Sequence, residues 1–312
     1  MIVLDRPYGA GLLFVLRGSV LGRIAPALAT CAAFAIAVTL TRGLLFHWKV
    51  TLTPVPFSLI GLALAIFLGF RNNAAYDRYW EARKLWGDLV HRSRSLARQA
   101  QSLMNFGMPA TKSDLADPRT RLILRNIAFI HALRVQLRQL EIGDDVLCWV
   151  VPGERMDLLS SRLPTDYLLQ RMGADLGACV QSGQIDARLA AEIDVTLSAM
   201  AAVAAGCERI ETTPIPLAYT LLLHRTAWLY CFLLPFGLVD TIGFMTPFVV
   251  VLVAYTFFGL DAVGDEIEDP FGMAAHHLPL DAICRTIEVN LLEALGEREL
   301  PPTLLPVKSK LS

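Results

Sequence analysis

The chain has 312 residues, of which 54% are hydrophobic and only 18% charged, and its formal net charge is −1. Soluble domains carry nearer a quarter charged residues, so this balance excludes an ordinary soluble globule, and the near-neutral charge excludes a global basic footprint for nucleic acid. The six cysteines, Cys31, Cys148, Cys179, Cys207, Cys231 and Cys284, show no CxxC spacing and read as reduced packing residues rather than metal ligands or a disulfide framework.

Residues 1–23 begin with Asp5 and Arg6, then a short apolar piece over 11–16, then Arg17-Gly18-Ser19 and Arg23. The apolar piece is too short and too interrupted for a cleaved signal, so a short amphipathic helix lying at the membrane surface is expected. Residues 24–41 lack charge and read as a first spanning helix, with Pro26 tolerable near its start and Gly43–Phe46 extending the run past Arg42. Thr51, Thr53, Pro54 and Pro56 break that helix and open the next. The second uncharged run covers residues 50–70, and no proline occurs between Phe57 and Met108. One helix can therefore leave the membrane and continue to about residue 106. Its length would be roughly 75 Å, against a hydrocarbon core of about 30 Å.

Past Phe70 the composition changes at once. Arg71, Arg78, Arg83, Lys84, Arg92, Arg94 and Arg98 stand against Asp77, Glu81 and Asp88, while Tyr79, Trp86, Leu89 and Leu96 keep a helical period. Residues 71–211 read as a cytosolic helical domain. Asp117-Pro118 is a helix start, with Asp as cap and Pro at the first position. Ile123, Ile127, Ile130 and Leu133 supply that helix's apolar face, Gly143 is expected to stop it, and two further helices are expected over 166–181 and 186–210. Thr213-Pro214-Ile215-Pro216 is a hinge into residues 212–260, which hold spans three and four, divided at Asp240. Pro235, Gly237 and Pro247 are expected to kink these spans. Residues 261–312 form the exit, with a last amphipathic helix on Leu280, Ile283, Ile287, Leu291 and Leu295. Almost no strand pattern is visible. Arg6, Arg17 and Arg23 precede span one, Arg42 and Lys49 lie between spans one and two, seven basic residues follow span two within about thirty positions, and none lies at the Asp240 turn. The positive-inside rule then puts both termini and the helical domain in the cytosol.

The candidate chemistry is sparse. Leu62, Ile66 and Phe70 recur every four residues and share one helix stripe. Two readings stay open: a buried helix face, or, with several subunits around an axis, three stacked apolar rings about 12 Å long that gate ions by dewetting. A four-span chain is too small to enclose a pore alone, so the second reading requires a closed symmetric oligomer. Asp261, Asp265, Glu266, Glu268 and Asp269 could hold a hard cation or form a solvated helix end. His276 and His277 are adjacent and point different ways on a helix, a poor arrangement for a metal. No GxSxG, HExxH or phosphate-binding loop occurs. Gly61 and Gly69 are expected to permit close helix packing, and His224 and Arg225, inside span three, to face protein or the interface.

Scattered pieces of the chain together resemble the bestrophins, in their bacterial branch. They are Arg17-Gly18-Ser19-Val20, Pro56-Phe57-Ser58-Leu59, Gly69-Phe70-Arg71-Asn72, Glu81-Ala82-Arg83, Leu85-Trp86-Gly87, Cys207-Glu208-Arg209, Thr213-Pro214-Ile215-Pro216, Tyr219-Thr220, Met245-Thr246-Pro247-Phe248 and Glu268-Asp269-Pro270-Phe271-Gly272. The resemblance implies an all-α membrane protein with four transmembrane helices and a helical cytosolic domain, assembled as a homopentamer around one axial pore. It places the apolar neck on Leu62, Ile66 and Phe70. It further implies a multi-pass protein of the bacterial inner membrane whose partners are inorganic ions, the lipid bilayer and its own copies, with no nucleic acid. Eukaryotic relatives pass chloride and other anions and open with calcium.

Two departures qualify this. The calcium clasp of animal relatives uses an acidic run after the Pro-Phe-Gly piece, whereas here Gly272 is followed by Met273-Ala274-Ala275-His276-His277. Calcium activation is therefore not expected, nor any other cofactor, although Glu266 and Asp269 could be a remnant cation site. Counting back from Cys207-Glu208-Arg209, the family's cytosolic exit constriction falls on Arg188 or, with a register shift, on Ile185. A ring of arginines there would attract anions. The alternative to a small-ion channel, with anions such as chloride slightly favoured, is a membrane-anchored binding protein or enzyme working through its helical domain.

Overall fold

The computed structural model describes residues 1, 18–45, 48–49, 52–307 and 311. The expected surface helix within residues 1–23 falls largely outside the described residues. Two compact units emerge, one comprising the described residues of 18–79 together with Pro214–Pro270, the other Met1 and Trp80–Thr213 together with the described residues from Phe271 onward.

The first unit is apolar. Helix α1 spans Leu21–Leu40. It ends sooner than the uncharged run does, because Arg42 (φ 47°) and Gly43 (φ 74°) turn left-handed and the Gly43 N–H reaches back to Val38 O at 2.9 Å. The residues expected to prolong the span instead start a short hairpin, β1 (Leu44–Leu45) antiparallel to β2 (Trp48–Lys49). Helix α2, Pro54–Leu103, is one unbroken helix of 50 residues that ends three residues before the expected point. Helix α8 spans Leu217–Ile242 and α9 spans Thr246–Glu268. The turn between them is not at Asp240, which stays inside α8, but at Gly243, whose φ of 51° only glycine adopts cheaply. Pro247 falls in the first turn of α9, where its missing N–H breaks nothing. Lys49 pairs with Asp240 at 2.9 Å.

Cys31 and Ala35 of α1, Phe57, Leu64 and Leu68 of α2, Ala227 and Cys231 of α8, and Val250 and Ala254 of α9 form one core. Glycine decides two close approaches. A Cβ on Gly61 would lie 2.9 Å from the Tyr230 hydroxyl, and one on Gly237 would lie 2.7 Å from the Phe57 ring. Gly69 has open space around it and is not a packing glycine.

The second unit is helical: α3 (Pro118–Leu137), α4 (Asp144–Leu147), α5 (Arg155–Ser160), α6 (Pro164–Gln181), α7 (Ala187–Thr212) and α10 (Leu280–Ala294). Asp117 caps α3 by accepting from the Arg119 N–H, as its position before Pro118 predicts. Gly143 does not stop α3; that helix ends at Leu137, followed by Gln139 with φ 53°, and Gly143 caps α4 instead. Nearly every residue of α3 is buried, so it is a central helix rather than an amphipathic one. Its polar residues are matched inside the unit. Arg125, 1% exposed, donates to Glu154 at 2.8 and 3.0 Å and to Asp175 at 2.8 Å, while Arg171 and Arg121 close the two ends of the chain of charges. Among these helices, burial pushes the Cys207 and Cys284 thiols up to about 12, so both are unreactive packing groups.

Burial raises the carboxyls of Glu154 and Asp175, but hydrogen bonds from Arg125, Arg171 and Arg121 outweigh it and hold both below their ordinary values of 4.5 and 3.8. With folded-state values depressed, the unfolded chain binds more protons in this range. The stabilisation is thus complete above about pH 4.5 and is lost as pH falls through the folded-state values. Protection factors of peptides from α3 and α6, corrected for the intrinsic exchange rate that itself slows with acidity, are expected to fall on acidification from pH 5 to pH 3, and unchanged protection factors would refute the role given to these pairs.

Candidate functional site

Helix α2 within the apolar unit uses a narrow strip of its circumference for packing. Phe57, Leu64, Leu68, Arg71 and Ala75 are buried, and at about 100° per residue they fall within some 40° of one direction. Leu62, Ile66 and Phe70 fall about 140° to 220° from that direction, on the diametrically opposite side. They are 61%, 47% and 61% exposed. This separates the two readings of the stripe within the chain: the apolar residues that pack are Leu64 and Leu68, and the 62/66/70 stripe faces away from the bundle. A cavity of about 550 Å³ lies beside Phe70, lined mainly by Arg71, Ala74, Ile215, Pro216, Tyr219 and Leu222. Above it the Tyr219 hydroxyl donates to Phe67 O at 3.1 Å.

The polar feature that sequence reasoning missed is the setting of Arg71. Its side chain is wholly buried. It donates to Asp261 Oδ1 at 2.7 Å and to the Asp261 carbonyl at 3.3 Å, pairs closely with Asp265, and reaches Glu268 at 3.4 Å. Asp261 also takes His224 Nδ1 at 2.8 Å, and His224 Nε2 accepts from the Trp228 indole at 3.0 Å. Arg23 pairs with Asp265 at 2.7 Å, and the Ile215 N–H donates to Glu268 at 3.0 Å. Gly264 packs against this cluster, and a Cβ there would collide with Asn72 Oδ1 unless that side chain moved. The acidic end of α9 is therefore an arginine receptor and not a solvated helix end. The signal was present in the spacing: 261, 265 and 268 lie on one face of a helix, and Arg71 directly follows an uncharged run.

Of the remaining candidates, Glu266 is half-buried and Asp269 exposed. Among the described residues no group of three or more His, Cys, Asp or Glu converges on a metal position. His277 is buried and its Nδ1 accepts from the Ala274 N–H at 3.3 Å. Arg188 stands exposed in the first turn of α7, with its backbone N–H bonded to Asp186 at 2.8 Å. Ile185 is buried in its own unit and 5% exposed, so its side chain is packed away from solvent. His224 is half exposed while both its ring nitrogens bond to protein groups, and Arg225 is exposed on α8.

Four helical stretches are long and apolar enough to cross a membrane: Leu21–Leu40, Val55–Leu103, Ala187–Thr212 and Leu217–Glu268, the last containing both α8 and α9. Ala187–Thr212 is α7, which carries Arg188, Glu192, Asp194, Glu208, Arg209 and Glu211 and buries one face in the helical unit.

Comparison with known proteins agrees with this architecture. A voltage-dependent anion channel-forming protein of Mesorhizobium japonicum is 44% identical over 309 residues, covering 99% of this chain and 96% of its own. A protein of the same description from Escherichia coli K12 is 43% identical over 306 residues, covering 98% of each. The crystal structure of a bacterial bestrophin homolog from Klebsiella pneumoniae superposes with a TM-score of 0.82 at 38% identity, over 88% of this chain and 100% of that one. The family described as Bacterial/Fungal Bestrophin protein matches residues 1–293. By that match and by these identities, the chain belongs to the bacterial and fungal bestrophin family of membrane ion channels.

Proposed function

We propose that the protein is a pentameric channel for small monovalent ions, anions foremost, with its gate on Leu62, Ile66 and Phe70. The observation that carries the reading is the opposition on α2: one strip, Phe57, Leu64 and Leu68, is used up by the chain's own core, and the opposite strip is apolar, exposed and regularly spaced. Five such helices around an axis would bring three apolar rings together, each narrow enough to empty of water when closed. The names of the relatives support anions as the permeant class. Arg188, exposed and charged, suits the cytosolic exit constriction better than the buried Ile185 does. In this reading α1, the first part of α2, α8 and α9 are the four spans, α7 belongs to the helical domain, and both termini lie in the cytosol of a bacterium with the channel in its inner membrane. Calcium has no part in opening it.

The test is a reversal potential in planar bilayers under a chloride gradient, for the wild type and for Leu62, Ile66 and Phe70 all changed to Ala. Current that grows on the order of several-fold in the triple variant, at an unchanged oligomer mass in detergent, is expected when apolar rings are the barrier. Intact pentamers with equal or no current in both proteins would remove the pore and turn attention to the helical unit.

A further inference from the structure

We propose that Asp77 places an uncompensated carboxylate in the ion path at the Phe70 end of the neck, and that this charge restrains anions there. The proposal rests on the pore reading above.

Asp77 follows Phe70 by seven residues, so on one continuous helix it lies about 10 Å further along the axis and only about 20° around it. Asn73 falls between them on the same side. All three are exposed. Any symmetric arrangement of α2 that points Phe70 at an axis therefore points Asp77 at it too, about two turns on.

The sequence alone gives the opposite impression. Arg71 and Arg78 flank this stretch and suggest a cationic mouth. The structure removes both from the exposed face. Arg71 is buried and spent on Asp261, Asp265 and Glu268. Arg78 is half-buried and donates its Nε–H to the Glu268 carbonyl at 3.2 Å. Asp77 has neither arginine; among the described residues it has no hydrogen bond or ion pair. What remains on the exposed side of α2 between Val55 and Tyr79 is apolar or neutral, apart from this carboxylate.

Five copies around an axis give five negative charges in a narrow, low-dielectric passage, a geometry that focuses field on a passing ion. The effect works on selectivity rather than on opening, because Asp77 is polar and contributes nothing to dewetting. It also sets the neck end against Arg188, whose positive charge would favour anions at the exit.

The experiment compares wild type, Asp77→Asn and Asp77→Glu in planar bilayers, with the Leu62, Ile66 and Phe70 triple alanine variant alongside. Reversal potentials are read in sodium chloride gradients centred near 0.1 M and near 1 M. Asp77→Asn is expected to raise the chloride-over-sodium permeability ratio on the order of threefold to tenfold at the lower salt. The shift should shrink at the higher salt, where the Debye length drops from about 10 Å to about 3 Å. Asp77→Glu keeps the charge and should keep the wild-type ratio. If the triple variant gains current while Asp77→Asn keeps the wild-type ratio at low salt, this inference fails and the pore reading stands. If the triple variant gains nothing, the pore reading fails and takes the inference with it. Asparagine matches aspartate in size at an exposed, unpaired position, so assembly is expected to survive the substitution.

Discussion

Replacing Arg71 with Met is expected to destabilise the apolar unit by about 3–5 kcal/mol, the cost of removing one partner from a buried ion cluster. The guanidinium is wholly buried and meets three carboxylates, two of them at close range. Without it, Asp261, Asp265 and Glu268 face one another on one side of α9, with Arg23 paired to Asp265, His224 to Asp261 and only a backbone N–H on the Glu268 carboxylate. Methionine fills much of the volume, so the effect isolates charge from packing. Arg71→Lys should recover part of the loss, since a single ammonium cannot reproduce a planar fork that reaches both Asp261 and Asp265. The readout is the apparent melting temperature of the purified protein in mild detergent, together with the fraction remaining as intact oligomer. A melting temperature within a degree or two of wild type for Arg71→Met would mean that water reaches the cluster and screens it.

A second large loss is expected for Arg125→Met in the helical unit. Arg125 links Glu154 and Asp175, which lie on the segment before α5 and on α6, to the middle of α3. Its removal strands two part-buried acids, each left with one arginine that is itself partly in water. The expected destabilisation is again about 3 kcal/mol, at the lower end of the range for broken buried pairs because those arginines remain. The two losses can be told apart. Hydrogen exchange should quicken in α3, α5 and α6 for Arg125→Met, and in α9 for Arg71→Met. The acid sensitivity described for α3 and α6 should flatten in Arg125→Met, since the depressed carboxyls are its origin. Equal acid responses in variant and wild type would contradict that account.

Helix positions were largely legible because apolar period and capping chemistry are local. Asp117-Pro118 announces α3, and the lack of proline after Phe57 announces the length of α2. Local signals failed where a single glycine outweighs a charge: Asp240 looks like the break between α8 and α9, but only Gly243 can adopt the left-handed backbone that reverses the chain. The candidate stripe was legible only as periodicity. Leu64 and Leu68 are as apolar and as evenly spaced as Leu62 and Ile66, and nothing local says which pair meets α1, α8 and α9. Most of that information sits in α8 and α9, more than a hundred positions away. The same distance hides Arg71 from its carboxylates and makes α3 look half-polar, although Arg125 and Asn126 are buried with their partners. Long-range charge matching is the part of this fold that periodicity does not encode.

The hydrogen bond from Trp228 to His224 fixes more than a distance. An indole N–H can only donate, so His224 Nε2 must be the bare nitrogen and the ring's proton must sit on Nδ1, directed at Asp261. Turning the imidazole over by half a rotation would replace both nitrogens with carbons and break both bonds at once. A second proton on the ring would set two N–H groups head to head. His224 is half open to its surroundings and yet has one orientation and one arrangement of hydrogens. At this residue exposure and mobility part company.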